Sequence, residues 1–270
     1  MADIPARLVP SADGTPIAVF SSGTGPPIVL VHGAASDHTT FRVVGPLFER
    51  RFTVHAIDRR GRGASGDAPG WTIEREYEDL RAVVEAVAAD SGAVVDVVGH
   101  SLGGRIALGA ALQPGHLRRL VVYEGAPPAA QRPYQAADLP AHLRTVLAER
   151  GPEALLQTFL AEVIGMGPDE LEAYRMNPVW PRRVAAAPTI IRELEGERSP
   201  AASLDVLGGV GLPVLQVLGG DSAAPFRAAT DALQARLANG RVVVIEGARH
   251  AAHHSHAERF VAEVEDYLGA

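Results

Sequence analysis

The sequence contains no cysteine, which excludes disulfides, thiolate catalysis and cysteine-ligated zinc. It has no excess of positive charge. Lys and Arg together number 25 against 32 Asp and Glu, giving a net charge of −7 and a pI of about 5.8, so no basic footprint for nucleic acid is present. No apolar run approaches the roughly 20 residues that span a bilayer. The first residues, Met1-Ala2-Asp3-Ile4-Pro5, lack the basic start and apolar core of a signal peptide. These absences predict a cytoplasmic protein with neither a nucleic-acid nor a membrane partner.

The 270 residues are 47% hydrophobic and 21% charged. That suits one α/β domain with an insertion, or two small domains. Residues 6–22 read as a hairpin turning at Asp13-Gly14. Pro27–Val31 (PIVLV) is a continuous apolar run of the kind found in strands buried on both faces. Similar runs follow at Phe52–Ile57, Val94–Val98, Leu120–Tyr123, Pro213–Leu218 and Val242–Ile245. Between them, Glu74–Ala89, Leu102–Leu112, Ala228–Leu237 and Ala257–Leu268 carry apolar residues at helical spacing. Strands alternating with helices imply a mostly parallel, eight-stranded sheet flanked by helices.

The alternation stops between about Ala126 and Leu212. That Pro-rich stretch has helical pieces at Leu139–Arg150, Pro152–Ile164 and Pro168–Arg175 and no convincing strand. Residues 126–212 are therefore expected to be an inserted helical cap (lid). The core would be 1–125 and 213–270. A cap over the C-terminal sheet edge would enclose a ligand, because open α/β sheets bind there.

Gly99-His100-Ser101-Leu102-Gly103 follows one expected strand and precedes a helix. This is the G-x-S-x-G elbow, a sharp turn that lifts a nucleophilic serine out at the sheet edge. The alternative is a Gly-rich turn with a bystander serine. Val31-His32-Gly33-Ala34 ends an earlier strand. The Ala34 or Gly33 amide, with that of Leu102, would form an oxyanion hole. His32 reads as orienting that loop by hydrogen bonding. His250, just past the last strand, is the candidate base. His253, His254 and His256 read as a solvated or helix-capping cluster, and no metal is expected.

The triad acid has two candidates. In Gly219-Gly220-Asp221-Ser222, the third position after Gly219 is Ser222, and Asp221 comes one residue early. Glu124 instead ends the buried strand beside the elbow, and an unpaired acid there is expensive without a partner such as an imidazole. Glu124 is favoured and Asp221 is the alternative. A salt bridge at the cap junction is the structural reading of Glu124.

From about residue 15 to the C-terminus, apart from the cap, the chain resembles the α/β-hydrolase superfamily. The matching pieces are His32-Gly33, Asp58-Arg59-Arg60-Gly61-Arg62-Gly63-Ala64-Ser65, the elbow and Gly247-Ala248-Arg249-His250. An acid after the sixth strand resembles haloalkane dehalogenases and the lactone-hydrolysing, zearalenone hydrolase-like group. Dehalogenases carry aspartate where Ser101 stands, so their chemistry is excluded. Asn177-Pro178-Val179-Trp180 is similar to the lactone hydrolases. The resemblance implies Trp180 as a substrate-binding residue, with packing of the cap onto the core as the alternative.

The combined expectation is a serine hydrolase cleaving a small-molecule carboxylic ester or lactone on Ser101, His250 and Glu124. It needs no cofactor and works as a monomer or homodimer. Acyl transfer, peroxyacid formation or C–C hydrolysis on the same triad is the alternative. A non-catalytic ligand-binding protein with this fold is the alternative of another class.

Overall fold

Eight strands form one sheet: β1 (Arg7–Pro10), β2 (Pro16–Gly23), β3 (Pro27–Val31), β4 (Thr53–Ile57), β5 (Val95–His100), β6 (Leu117–Tyr123), β7 (Val214–Gly219) and β8 (Gly240–Ile245). The computed structural model describes residues 6–131 and 133–269. Met1–Pro5, and with it the signal-peptide reading, lies outside the described residues. The sheet order is β1-β2-β4-β3-β5-β6-β7-β8. β1 and β2 form the antiparallel hairpin and β2 pairs antiparallel with β4, while every pair from β4 to β8 is parallel. The expected eight-stranded, mostly parallel sheet is thus the architecture found.

The central strands are apolar on both faces because each face has its own core. Val29, Val31, Val95, Val97, Leu120 and Val122 pack on one side. There they meet the helices Ile73–Ser91 and Leu102–Ala110 through residues such as Leu80, Val84 and Ile106. Ile28, Leu30, Val98, Val121 and Tyr123 point to the other side, against Phe41, Phe48, Phe52 and Phe260. The two-residue alternation of a strand makes this division. Burying each such aliphatic or aromatic side chain contributes roughly 1.5–3 kcal/mol.

Between β6 and β7 the described residues contain helices and no strand of the sheet. The expected pieces Leu139–Arg150 and Pro152–Ile164 meet at Gly151, which has φ 81 and ψ 179 and breaks the helical run Leu139–Phe159. A π turn, Leu160–Ile164, follows. Helices Trp180–Ala186 and Ile190–Gly196 were not anticipated. Leu143, Leu155, Leu156, Phe159, Trp180, Ile190 and Leu194 form a third apolar cluster, which Ala35 of the loop after β3 joins. Glu193 ties this region down: it accepts from Arg59 and Arg62, both buried. No described helix is long and apolar enough to cross a membrane.

Candidate active site

β5 ends in a turn that is strained at one residue. Ser101 has φ 55 and ψ −127, a conformation costly for a residue with a Cβ. Its N–H donates to the Tyr123 carbonyl at 2.8 Å, which fixes the turn to β6. The flanking glycines make room. A Cβ on Gly99 would lie 2.5 Å from the Gly103 carbonyl oxygen, and one on Gly103 would strike the Val31 carbonyl. The helix then starts at Leu102.

The loop after β3 lies directly against Ser101. A Cβ on Gly33 would sit 2.9 Å from Ser101 Cβ and 3.4 Å from its Oγ. His32, fully buried, holds this loop from beneath. Its Nδ1 donates to the Gly33 carbonyl at 2.9 Å and its Nε2 accepts from the Arg59 N–H at 3.0 Å. Burial, with the Arg59 charge, pushes its pKa well below the usual range. His32 is therefore a neutral loop support, as expected.

Glu124 is also strained, with φ 45, and is 3% exposed. Its Oε2 lies 2.6 Å from His250 Nδ1. Its Oε1 accepts from the Gly219 N–H at 2.8 Å and from Ser222 Oγ at 2.5 Å. Ser222, at the position where an acid was sought, thus donates to Glu124. Asp221 is exposed, and among the described hydrogen bonds only its backbone N–H is engaged, donating to the Ala248 carbonyl. Glu124 is brought to His250 and Asp221 is not.

His250 is held on several sides. Its ring stacks on Phe226 at 4.5 Å. His100 Nε2 donates to the His250 carbonyl at 2.8 Å. Tyr123 Oη donates to the Arg249 carbonyl and accepts from the Ala252 N–H at 2.8 Å, so one phenol clamps the backbone on both sides of His250. His100, Tyr123, Ser222 and Phe226 were missed in the sequence. Only Ser222, at the third position after Gly219, carried a positional signal.

Ser101 and His250 border one cavity of about 560 Å³, together with Gly33, Ala34 and His100. Among the described residues no hydrogen bond joins Ser101 to His250; such contacts are often loose before substrate binds. Leu156, Phe159, Leu160, Ile164 and Met166 of the segment between β6 and β7 form an apolar wall. A second cavity, about 500 Å³, is lined by Phe20, His38, Asp58 and Arg62 and contains neither Ser101 nor His250.

Two expectations are corrected. His253 is not solvated: it is 2% exposed, with its ring 4.4 Å from that of His100 and 4.3 Å from that of His254. His253 and His254 line the cavity, because the chain after His250 turns inward through the helical turn Ala252–Ser255. His256 does precede the last helix, without a side-chain cap bond. Trp180 is not brought to the cavity lining. It is 7% exposed, packs edge-on against Tyr174 at 5.6 Å and donates from Nε1 to Glu153 at 3.1 Å. Its neighbours Tyr174, Asn177 and Arg183 line the cavity instead.

The chain matches known proteins over most of its length. The model of the Alpha/beta hydrolase family matches residues 28–263. A pimeloyl-[acyl-carrier protein] methyl ester esterase of Neisseria meningitidis serogroup B is 31% identical over 246 residues, covering 89% of this chain and 92% of that protein. A solved alpha/beta hydrolase from Sphaerobacter thermophilus DSM 20745 has 34% identity and a TM-score of 0.78, covering 89% of this chain and 93% of the other. A thermophilic esterase from Thermogutta terrifontis, at 23% identity, a TM-score of 0.76 and 98% coverage of both chains, shares the fold.

Proposed function

The chain belongs to the alpha/beta hydrolase family, and from that premise we propose that it hydrolyses small carboxylic esters through an acyl-enzyme on Ser101. The observation that carries this reading is the 2.6 Å contact between Glu124 and His250 Nδ1, beside a strained serine on the same cavity. With Nδ1 engaged, Nε2 is the nitrogen left to take the Ser101 proton.

Ser101 Oγ attacks the acyl carbonyl while His250 accepts its proton. Glu124 stabilises the imidazolium and fixes its tautomer. The Leu102 and Ala34 amides, with Gly33 as the alternative donor, receive the oxyanion, a contribution of about 3 kcal/mol per donor. His250 returns the proton to the leaving alcohol. Water then attacks the acyl-enzyme with His250 again as base, releasing the acid.

Residues 126–212 act as a lid over a core of 1–125 and 213–270, and their apolar wall receives the substrate's hydrocarbon part. A lactone is a cyclic ester and fits the same chemistry. Trp180 serves the lid by packing. The test is Ser101→Ala, assayed with p-nitrophenyl acetate, a lactone panel and a fluorophosphonate probe. The variant should fold normally, lose probe labelling and lose nearly all turnover. Turnover within tenfold of wild type would refute the serine mechanism.

A further inference from the structure

The cavity lining is of two unlike kinds. Besides the apolar wall, the lining includes Thr40, Arg42, Arg183, His253 and His254. Their charges do not cancel. Arg183 is 3% exposed, and its Nη1 meets Asp37 Oδ1 at 3.0 Å, but Asp37 is shared with Arg182, whose Nε lies 2.6 Å from Oδ2. Arg249 pairs with Glu170 at 3.1 Å. Among the described residues Arg42 pairs with no carboxylate, and its one side-chain hydrogen bond is a long 3.4 Å contact to the Thr39 carbonyl. Positive charge is thus left over inside a chain whose net charge is −7.

The neighbouring imidazoles lie within this field. The His254 pKa is pushed down to about 4 by burial and by the Arg42 and Arg183 charges. Burial likewise pushes His253 well below the usual range, with the neighbouring imidazoles and Arg183 adding to the shift. Neutral imidazoles beside guanidinium groups can each still donate one hydrogen bond. Among the described residues the Nδ1 atoms of His253 and His254 are buried without a partner. Ring-to-ring steps of 4.4 Å from His100 to His253 and 4.3 Å from His253 to His254 put these rings a short chain away from the elbow.

We infer that the cavity selects half-esters of short dicarboxylic acids, with Arg42 and Arg183 holding the free carboxylate while Ser101 attacks the ester carbonyl. This rests on the serine-hydrolase reading and adds a substrate class to it. Planar guanidinium groups match a carboxylate in geometry as well as charge. The reaction consumes one water, breaks the acyl C–O bond and yields the alcohol and the dicarboxylate. The proton of the new acid is released to solvent at neutral pH.

The test compares monoethyl glutarate with ethyl pentanoate, which has the same acyl length and a terminal methyl group. Proton release in a pH-stat gives kcat/KM for both. Wild type should favour the half-ester. Arg42→Gln should lower the half-ester to pentanoate ratio by about tenfold or more, mainly through KM, because a charge-assisted contact is lost. Arg42→Lys should keep part of the preference. A wild-type ratio below one, or a ratio unchanged in Arg42→Gln, overturns the inference. Calorimetric binding of glutarate separates this from failure of the serine reading. Binding should persist in Ser101→Ala and weaken about tenfold or more in Arg42→Glu. If neither ester turns over yet glutarate binds in this pattern, the anion site stands and the half-ester selectivity falls, while the serine mechanism is judged by the Ser101→Ala test. Absence of glutarate binding overturns the site.

Discussion

Replacing Glu124 by glutamine tests the site with a change of one atom. Both carboxylate oxygens are committed. Oε1 accepts from the Gly219 N–H and from Ser222 Oγ, and Oε2 faces His250 Nδ1. An amide has only one acceptor oxygen. The Gly219 N–H cannot reverse its role, so the amide oxygen should take the Oε1 position. The amide nitrogen then faces His250 and requires Nδ1 to accept. The imidazole proton is thereby forced onto Nε2, where it blocks removal of the Ser101 proton. A wrong tautomer of this kind costs on the order of 10⁴ in kcat, or about 5 kcal/mol. Glu124→Gln should therefore lose nearly all turnover of p-nitrophenyl acetate while its circular dichroism and Tm stay near wild type. Asp221→Asn should remain within about twofold, as surface changes usually do. Retention of more than a tenth of wild-type kcat in Glu124→Gln would refute the reasoning. So would a crippling effect of Asp221→Asn.

Two further outcomes are expected. Trp180→Ala should cost about 3–5 kcal/mol of stability, as truncation of a buried aromatic does, and so lower Tm by several degrees in a thermal melt. A shift in acyl-chain preference without loss of Tm would return Trp180 to the substrate. Stability should also fall between pH 6.5 and about 4. His254 has its folded pKa lowered from 6.5 to about 4, by burial first and then by Arg42 and Arg183. The unfolded chain therefore binds more protons in that window, and stability is full above 6.5 and lost as pH falls. His254→Gln should flatten the dependence of Tm on pH across that range, and an unchanged slope would count against the assignment.

The parts legible in the sequence are those where one residue's environment dictates its type. PIVLV announced a strand buried on both faces, because any polar residue there would face an apolar core. Asp13-Gly14 announced a turn, and Gly14 takes φ +83. Gly151 with Pro152 separated two helical pieces, and Gly151 takes a non-helical conformation. Glu124 stood out because an acid ending a buried strand needs a partner. The missed residues depend on what lies across space. Histidine is ambivalent by composition, so nothing local told His253, buried among rings, from a solvated imidazole. Tyr123 read as a strand aromatic, yet its hydroxyl clamps the backbone around His250. Trp180 resembled a pocket residue, but its indole N–H is engaged by Glu153 of the segment between β6 and β7.

Glu124 and Ser222 are joined by a hydrogen bond and have to be considered together. In the sheet order, β6 lies between β5, which carries Ser101, and β7, and β8 with the His250 loop lies beyond. An acid leaving β6 must therefore reach across the end of β7 to meet His250. Glu124 does so from a positive-φ turn, with its N–H donating to the Val217 carbonyl of β7 at 3.1 Å. The loop after β7 then faces a carboxylate instead of an imidazole. A second acid at position 222 would set two negative charges against each other and raise the pKa of one of them. A hydroxyl donor avoids that repulsion and satisfies Oε1. A serine at position 222 is thus compatible with a carboxylate at Glu124, to whose Oε1 it donates. A change at either residue has to be judged with the other.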